Sequence, residues 1–185
     1  MIQFYKPNPK GTGNACSFFL TPDGSIMASM IKQDSWNDAK KTGSFSKNKG
    51  VPNKSVMTKL SRIEAAGIMD SIETNREWTA YHRSPKQVVQ MKFCPYMRDG
   101  KQVGFSFSIN KQDAEDSTSK SSYVIGLYFP EARLLAHDLE IFLDKTVKIM
   151  AQTAPEPQQK SPVKEVNLEE DKTTSGNPFD DEEIF

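Results

Sequence analysis

The chain has 185 residues, enough for one domain with extensions, and its 24 Lys and Arg residues balance its 24 Asp and Glu residues. The zero net charge hides a split, because residues 1–150 carry 21 basic against 15 acidic side chains, whereas residues 151–185 carry 3 against 9. A basic body with an acidic end is typical of a polyanion-binding domain with an interaction segment, and the sequence has neither the ~18 consecutive apolar residues of a membrane-spanning helix nor a signal-peptide pattern.

The first half of the chain predicts an arm and four strands. Residues 1–10 predict the arm, and the four strands are predicted at 15–20, 25–33, 43–49 and 55–60. The turn TPDG at 21–24 favours a hairpin between the first two strands, because Pro presets φ and Gly tolerates positive φ. The strand at 43–49 is the weakest of the four, since its alternation is short.

Two helices are predicted, at 61–73 and 130–150. Ser61 and Glu64 have the spacing of a capping box at the start of the first helix. Pro130 suits the first position of the second helix. The apolar positions of the first helix are Ala65, Ile68, Met69 and Ile72. Those of the second helix are Leu135, Leu139, Phe142 and Ile149, widened by Leu134 and Leu143.

The second half of the chain predicts four more strands between these helices. They are predicted at 77–83, 86–97, 101–111 and 121–129. The sequence Arg-Asp-Gly-Lys between the second and third of them favours a tight hairpin turn. The predicted fold class is therefore α+β, with two antiparallel four-stranded sheets that are each followed by a helix (ββββα–ββββα).

Residues 151–185 predict a disordered acidic tail behind a domain that spans 1–150. The tail is rich in Pro, Glu, Gln, Lys and Ser, and it holds too little apolar surface to offset the entropy of ordering it. It nevertheless ends in apolar residues around a block of acids. We predict that these residues form a partner-binding motif: Phe179, Asp180, Asp181, Glu182, Glu183, Ile184 and Phe185. The alternative is an acidic end that only aids solubility.

The sequence shows no catalytic constellation. His82 and His137 are the only histidines, and no nucleophile motif, phosphate-binding loop or metal-binding spacing accompanies them. Cys16 and Cys94 lack metal-ligand spacing and are expected to be free thiols in a reducing compartment, although a disulfide between them is a possible alternative. We therefore predict a protein that is not an enzyme and that holds no cofactor and no metal.

Basic and aromatic residues are interleaved in the segment from Lys32 to Lys59. Single-stranded nucleic acid needs this mixture, because Lys neutralises phosphates and aromatic rings stack on bases. The alternative is a solvated lysine-rich loop around a core Trp and Phe. The predicted single-stranded DNA-binding residues, with further candidates from the second half, are Lys32, Trp36, Lys40, Lys41, Phe45, Lys47, Lys49, Lys54, Lys59, Trp78, Tyr81, Lys92, Arg98, Lys101 and Lys111. Trp78 and Tyr81 could equally belong to the core.

The order of elements over residues 10–150 resembles the Whirly family of single-stranded DNA-binding proteins. The stretches that carry the likeness are KLSRIEAAGIMD at 59–70, KQVVQMKFCPYMRDGKQVGFSFSINK at 86–111 and SSYVIGLYFPEARLLAHDLEIFL at 121–143. The resemblance implies a tetramer that binds single strands along its sheets with little sequence preference. The Lys-Gly-Lys-Ala-Ala-Leu run that serves larger assemblies in that family is matched poorly by KGTGNACSFFL at 10–20.

The tail motif is similar to the acidic tips of bacterial and phage replication single-stranded DNA-binding proteins. That likeness implies recruitment of a polymerase, helicase or primase in replication, recombination or repair. Ile184 stands where the bacterial tip has proline, which indicates a phage-encoded or divergent system in a bacterial cytoplasm or an infected host cell. The alternatives are an RNA-binding or transcription-modulating protein on the same scaffold, and a protein-interaction adaptor that binds no nucleic acid.

Overall fold

The computed structural model describes residues 1–114 and 119–153, so the predicted tail motif at 179–185 lies outside the described residues. The strands are β1 Ile2–Lys6, β2 Asn14–Leu20, β3 Ile26–Lys32, β4 Ser35–Asn37, β5 Thr42–Ser44, β6 Ser55–Leu60, β7 Trp78–Arg83, β8 Gln87–Arg98, β9 Lys101–Asp113 and β10 Lys120–Tyr128. The helices are α1 Arg62–Thr74 and α2 Phe129–Thr153, and a short 3-10 helix spans Ser46–Asn48.

The strands form two antiparallel four-stranded sheets and one small hairpin. The first sheet has the order β1-β2-β3-β6 and precedes α1, and the second has the order β10-β9-β8-β7 and precedes α2. The predicted α+β class with two such sheets is confirmed. Its first half is built differently from the prediction, because β4 and β5 pair only with each other in a separate hairpin.

Two expected elements in the first half were wrong. The segment predicted as an arm contains β1, in which Ile2 and Phe4 are buried and which pairs along its length with β2. The segment predicted as a strand at 43–49 contributes only its start to β5. Side chains explain the change, because Asp34 accepts a hydrogen bond from the backbone N–H of Lys47 at 2.9 Å, while Asn48 donates to the carbonyl of Lys32 at 2.9 Å. These bonds hold the segment as a turn against the end of β3.

Each sheet buries one face, as a two-residue period requires. In the first sheet Phe18 lies opposite Ala28, which lies opposite Thr58, and all three are buried. In the second sheet the core side includes the buried side chains of Phe93, Phe107 and Ile125 in one row. The rings of Phe18 and Phe107 lie 5.3 Å apart, so the two sheets share one core.

Helix α1 has the predicted capping box. The Ser61 hydroxyl accepts from the Glu64 N–H at 3.2 Å, and the Glu64 carboxylate accepts from the Ser61 N–H at 2.7 Å. Gly67, which weakens the helix intrinsically, lies where Trp78 packs: an added Cβ would sit 2.3 Å from the indole Nε1. The glycine therefore lets the helix approach the second sheet closely.

Helix α2 buries a stripe that the sequence predicted in part. Leu135, Leu139 and Phe142 are buried as expected, and Ala132 and Thr146 complete the stripe. Leu134, expected to widen it, is 52% exposed. The hydroxyl of the buried Thr146 donates to the carbonyl of Gly24 at 2.9 Å. This hydrogen bond satisfies the buried hydroxyl and connects the helix to the β2–β3 turn.

Candidate nucleic-acid interface

The solvent side of the first sheet forms a shallow groove of about 590 Å³. We call this surface the first-sheet face; it consists of the side chains that alternate with the core positions. They include Gln3, Tyr5, Ala15, Ser17, Phe19, Met27, Ser29, Ile31, Met57 and Lys59. Apolar and hydroxyl side chains predominate, so the floor can contact flat apolar rings without imposing many directional hydrogen bonds.

One wall of this groove comes from the turn after β5. Phe45 packs there against Tyr5, with ring centroids 5.8 Å apart and planes inclined by 55°. Tyr5 remains 55% exposed, whereas Phe45 is only 9% exposed. Lys49 lines the same groove. A supported, exposed aromatic ring beside a cation is the combination that stacks a base and neutralises its phosphate.

The solvent side of the second sheet has a different composition. This second-sheet face includes the rows Thr79–Lys92–Ser108–Val124, Tyr81–Gln90–Asn110–Ser122 and Arg83–Val88–Gln112–Lys120. The Tyr81 ring is 61% exposed. Lys92 Nζ lies 2.7 Å from Glu77 Oε2, and this hydrogen bond raises the pKa of Lys92. The face is therefore amide-rich and cationic, where the first-sheet face is apolar.

The structure spreads the predicted binding residues over several separate places. Phe45, Lys49 and Lys59 lie at the first-sheet face, and Tyr81 and Lys92 lie on the second-sheet face. Trp36 is in β4, and Lys40 and Lys41 occupy the β4–β5 turn; Lys47 and Lys54 are in exposed turns before β6. Arg98 and Lys101 flank the β8–β9 turn, and Lys111 lines a cavity near the end of β9.

The hairpin of β4 and β5 carries three of these residues next to the groove. Its strand β5 supplies Gly43 and Ser44 to the groove wall. Trp36 is half-buried, and its indole N–H donates to Asp38 at 3.1 Å. Lys40 and Lys41 are exposed at the tip, where Lys41 Nζ lies 3.8 Å from Asp38 Oδ1. The hairpin thus adds positive charge to the surroundings of the groove, which Lys49 lines.

Lys32 and Trp78 lie toward the interior. Trp78 is on the core side of β7 and packs against Gly67 of α1, a placement that favours packing over stacking on a base. The ammonium of Lys32 lies 4.8 Å from the ring centroid of Tyr123. Burial, and after it the charge of Lys54, lowers the pKa of Lys32.

Sequence reasoning missed most of the residues on the two faces. Tyr5, Phe19 and Met57 were not predicted as contacts, nor were Gln90 and Asn110 on the second sheet. Alternation within 1–10 could have found Tyr5, because Ile2 and Phe4 have the period of a half-buried strand. The amides carry no sequence signal, since polar residues on a strand are simply expected to face solvent.

The two cysteines, Cys16 and Cys94, are both free thiols. Burial raises the pKa of the Cys16 thiol far above its ordinary range. Within residues 1–114 and 119–153, no group of three or more His, Cys, Asp or Glu side chains is placed to hold a metal. Neither helix in this part of the chain is long and apolar enough to cross a membrane.

Comparison with known proteins gives structural matches without sequence matches. No protein-family model matches the chain, and no curated protein matches it. The structure of WHY3 from Arabidopsis thaliana aligns with a TM-score of 0.57 at 14% identity, covering 82% of this chain and 90% of that chain. The chain has a Whirly-like fold.

Two further structures share the Whirly-like fold. That of the plant transcriptional regulator PBF-2 aligns with a TM-score of 0.55 at 14% identity, covering 84% of this chain and 88% of that chain. That of MRP1/MRP2 from Trypanosoma bruciei aligns with a TM-score of 0.51 at 12% identity, covering 79% and 84%. At sequence identities of 12% to 14%, these similarities show a shared fold and no more.

Proposed function

We propose that this chain is a non-enzymatic, single-stranded DNA-binding protein with broad sequence tolerance. The observation that carries the proposal is the first-sheet groove, in which the exposed ring of Tyr5 packs against Phe45 and which Lys49 also lines. A stacked base on an aromatic ring is worth ~1–3 kcal/mol and every base has a face that can stack. Binding through this groove is therefore strong and largely independent of sequence.

The groove favours single strands over duplex. In a duplex the bases are already stacked on one another, so their faces are not available to the exposed aromatic ring of the groove. An open strand can turn its bases into the groove while its phosphates meet nearby lysines. The cations available to these phosphates are Lys49, which lines the groove, Lys59 on the same face of β6, and Lys40 and Lys41 at the tip of the adjoining hairpin.

Titration with labelled oligonucleotides tests this proposal. Oligo-dT should quench tryptophan fluorescence and raise the anisotropy of the label, and both signals should weaken steeply as salt rises because counterion release drives phosphate binding. Duplex of the same length should bind far more weakly. The absence of any binding at low salt would leave the protein-interaction adaptor as the function.

The proposed cellular role is in replication, recombination or repair. Its support is the acidic end of the sequence, from Asp180 to Glu183 and on to Ile184 and Phe185, which would dock a polymerase, helicase or primase. Charge steers such a segment and apolar side chains anchor it. The same tethered acids compete with DNA for the basic body, because tethering raises their effective concentration.

Deleting residues 177–185 tests both parts of this role. The shortened protein should bind oligo-dT as tightly as the full chain or more tightly, and it should lose co-purification with a cognate polymerase or helicase. A matched control is the full chain with Ile184 and Phe185 replaced by Ser, which keeps every acid. That control should lose the partner while its DNA affinity stays at the full-chain value.

We also propose that the chain forms a homo-oligomer, a tetramer by analogy with the Whirly resemblance. Helix α2 exposes apolar side chains that a single copy leaves in solvent: Phe129, Leu134, Val147 and Met150. Burial of such side chains between copies would be favourable. Native mass measurement decides the number, and a monomer at micromolar concentration would exclude the proposal.

RNA binding or modulation of transcription on the same scaffold is the second candidate function. The fold shared with PBF-2, a plant transcriptional regulator, favours the modulation of transcription. Stacking and phosphate contacts serve both polymers, so competition between matched DNA and RNA oligonucleotides separates the two candidates. Tighter binding to RNA would replace the DNA proposal with this one.

A further inference from the structure

The first half of strand β10 joins the second sheet to the residues at the start of β6 in the first sheet. The Tyr123 hydroxyl donates to the carbonyl of Ser55 at 3.1 Å, and the Ser121 hydroxyl donates to Asn53 Oδ1 at 3.0 Å. Tyr123 and Ser121 are both buried. We call this contact between the two sheets the sheet junction. Its hydrogen bonds give the side chains around it defined positions.

Lys32, the last residue of β3, places its ammonium at the sheet junction. The Nζ atom lies 4.8 Å from the ring centroid of Tyr123. The neighbours of Lys32 along its own sheet are the uncharged Asn14 of β2 and Lys54, whose carbonyl accepts from the Lys32 N–H at 2.9 Å. Among residues 1–114 and 119–153, no carboxylate lies within 4.0 Å of this ammonium.

Lys32 and Lys54 form a like-charge pair. The β3–β6 ladder ends with Ile31 opposite Ser55, so the next residues, Lys32 and Lys54, lie opposite each other. Side chains directly opposite in an antiparallel pair have Cβ atoms about 4.5–5.5 Å apart, and like charges there are destabilising. Burial, and after it the charge of Lys54, lowers the pKa of Lys32. An anion bound between the two ammonium groups would relieve this repulsion.

The sheet junction is continuous with the groove of the first-sheet face. Ile31 lines the groove, and Lys32 follows it on the opposite side of β3. The turn that leads to Lys49 is held at the same end of β3, because Asn48 donates to the carbonyl of Lys32 at 2.9 Å. Beyond the junction, Ser122 of β10 belongs to the second-sheet face. A strand that leaves the groove at the end of β3 and continues to the second sheet therefore passes Lys32.

We propose that Lys32 and Lys54 bind a backbone phosphate of single-stranded DNA at the sheet junction, so that one strand can continue from the first-sheet groove to the second-sheet face. The inference rests on the proposed DNA binding and deepens it, because it adds a phosphate site and a path between the two faces. An ammonium group neutralises phosphate without reading a base, so broad sequence tolerance is kept. The adjoining aromatic groove favours nucleic acid over an acidic protein segment, since every nucleotide carries a ring that can stack.

The test measures the affinity of the full-length protein for oligo-dT of stepped length, from about 4 to about 16 nucleotides, the range of known single-strand sites. Wild type and the double variant Lys32→Gln/Lys54→Gln should bind the shortest strand alike, because the groove alone can hold it. Their affinities should diverge as the strand grows, until the variant is roughly tenfold weaker through loss of the charged contact. On the longest strand its slope of log affinity against log salt should be smaller by about 0.7, the value for one phosphate.

Matched variants separate this site from a general effect of charge. Lys145→Gln/Lys148→Gln removes the same charge from exposed positions on α2 and should follow the wild-type length series. Lys32→Arg keeps the cation and should keep the long-strand affinity. A thermal melt checks that each variant folds. If Lys32→Gln does not fold, Lys54→Gln alone, at an exposed position, carries the test.

Two results would overturn the phosphate site and leave groove binding intact. One is unchanged affinity of Lys32→Gln/Lys54→Gln for the longest strand. The other is a loss that is equal at every length or equal in the α2 control, which would assign the lysines to general attraction. A wild-type protein that binds no oligonucleotide would overturn the proposed function as well, and lysine-dependent binding of polyglutamate in that case would assign the sheet junction to an acidic protein partner.

Discussion

His82 on β7 and Glu64 on α1 are joined by a contact of 2.6 Å between Nε2 and Oε1. The other oxygen of Glu64 closes the capping box with Ser61, and His82 Nδ1 lies 3.4 Å from the Thr58 hydroxyl of β6. The Glu64 carboxylate therefore caps the helix and contacts the edge strand β7 directly, and His82 extends the link to β6, the edge strand of the other sheet. The sequence spacing identifies Glu64 only as a helix-capping residue, but in the structure it also helps to connect the two sheets.

Replacing Glu64 should destabilise the fold more than loss of a surface charge does. Glu64→Ala removes half of the capping box and the His82 contact, so we expect a loss of about 1–2 kcal/mol in the free energy of unfolding. Urea denaturation measures it. Glu73→Ala, an exposed acid near the end of the same helix, is the control and should change stability by less than about 0.5 kcal/mol. Equal effects of the two variants on the free energy of unfolding would contradict a stabilising role for the Glu64 contacts.

The pH dependence of stability should carry the signature of Glu64. Burial alone would raise its pKa, but hydrogen bonds from the Ser61 N–H, His82 and the Ser61 hydroxyl outweigh burial and hold the pKa below its ordinary value of 4.5. A depressed carboxyl pKa adds stability that is fully present above the unfolded value and is lost as pH falls through the folded value.

This sign gives a direct comparison between wild type and Glu64→Gln. Wild type should lose stability as the pH falls below 4.5, and Glu64→Gln should lose less over the same interval because it has no carboxylate to protonate there. Denaturation curves from pH 7 down to pH 3 test it. Parallel curves for the two proteins would contradict the assignment.

Gly67→Ala should destabilise the protein although alanine is the better helix former. The new Cβ would lie 2.3 Å from Nε1 of Trp78, and the indole ring is packed between α1 and the second sheet. Overpacking of this kind costs ~1–3 kcal/mol, more than the ~1 kcal/mol that helix propensity returns. Ala66→Gly, at the exposed neighbouring position, is the control for propensity alone. A melting temperature that rises in Gly67→Ala would show that the ring can move away.

Tyr5→Ala should weaken binding of single-stranded DNA. Loss of one stacking ring is expected to reduce the free energy of binding by ~1–3 kcal/mol, a change that anisotropy titration resolves easily. The matched control is Ile63→Ala, since Ile63 is an exposed apolar residue on helix α1 and belongs to no strand of either face. Unchanged affinity for Tyr5→Ala would remove the groove from the proposed interface.

The lysines at the first-sheet face should control the salt dependence. Replacing Lys49 and Lys59 by Gln should lower the slope of log affinity against log salt by about 1.4, if each lysine neutralises one phosphate of a single strand. The double replacement of Lys145 and Lys148, which are exposed on α2, removes the same charge elsewhere. If both double variants shift the slope equally, net charge rather than a defined path would be responsible.

Elements with strong local signals were predictable from the sequence. The capping box of α1, the apolar stripe of α2 and the Asp-Gly turn between β8 and β9 depend on residues only a few positions apart. Asp99 and Gly100 both have positive φ in that turn, as their residue types favour. These signals were enough for two helices, the long hairpin and the α+β class.

The first half of the fold was harder to predict from the sequence, because its strands pair with partners that are distant along the chain. β3 pairs with β6 across an insertion of more than twenty residues, and the β4–β5 hairpin inside that insertion belongs to neither large sheet. Nothing in Phe45 itself distinguishes a strand residue from the wall of a groove. Its position depends on Asp34 and Asn48, which hold the turn through side-chain hydrogen bonds.

The amino-acid sequence by itself determined the charge division, the two helices and the chemistry available to the chain: lysines and aromatic rings with no catalytic cluster. Tertiary structure alone decided which of those groups share a surface. It turned Trp78 inward against Gly67 and brought Tyr5 from the first strand beside Phe45. The reason is physical. Composition and hydrophobic periodicity describe one helix or strand at a time, whereas a binding face is assembled from side chains that meet only when distant strands pair.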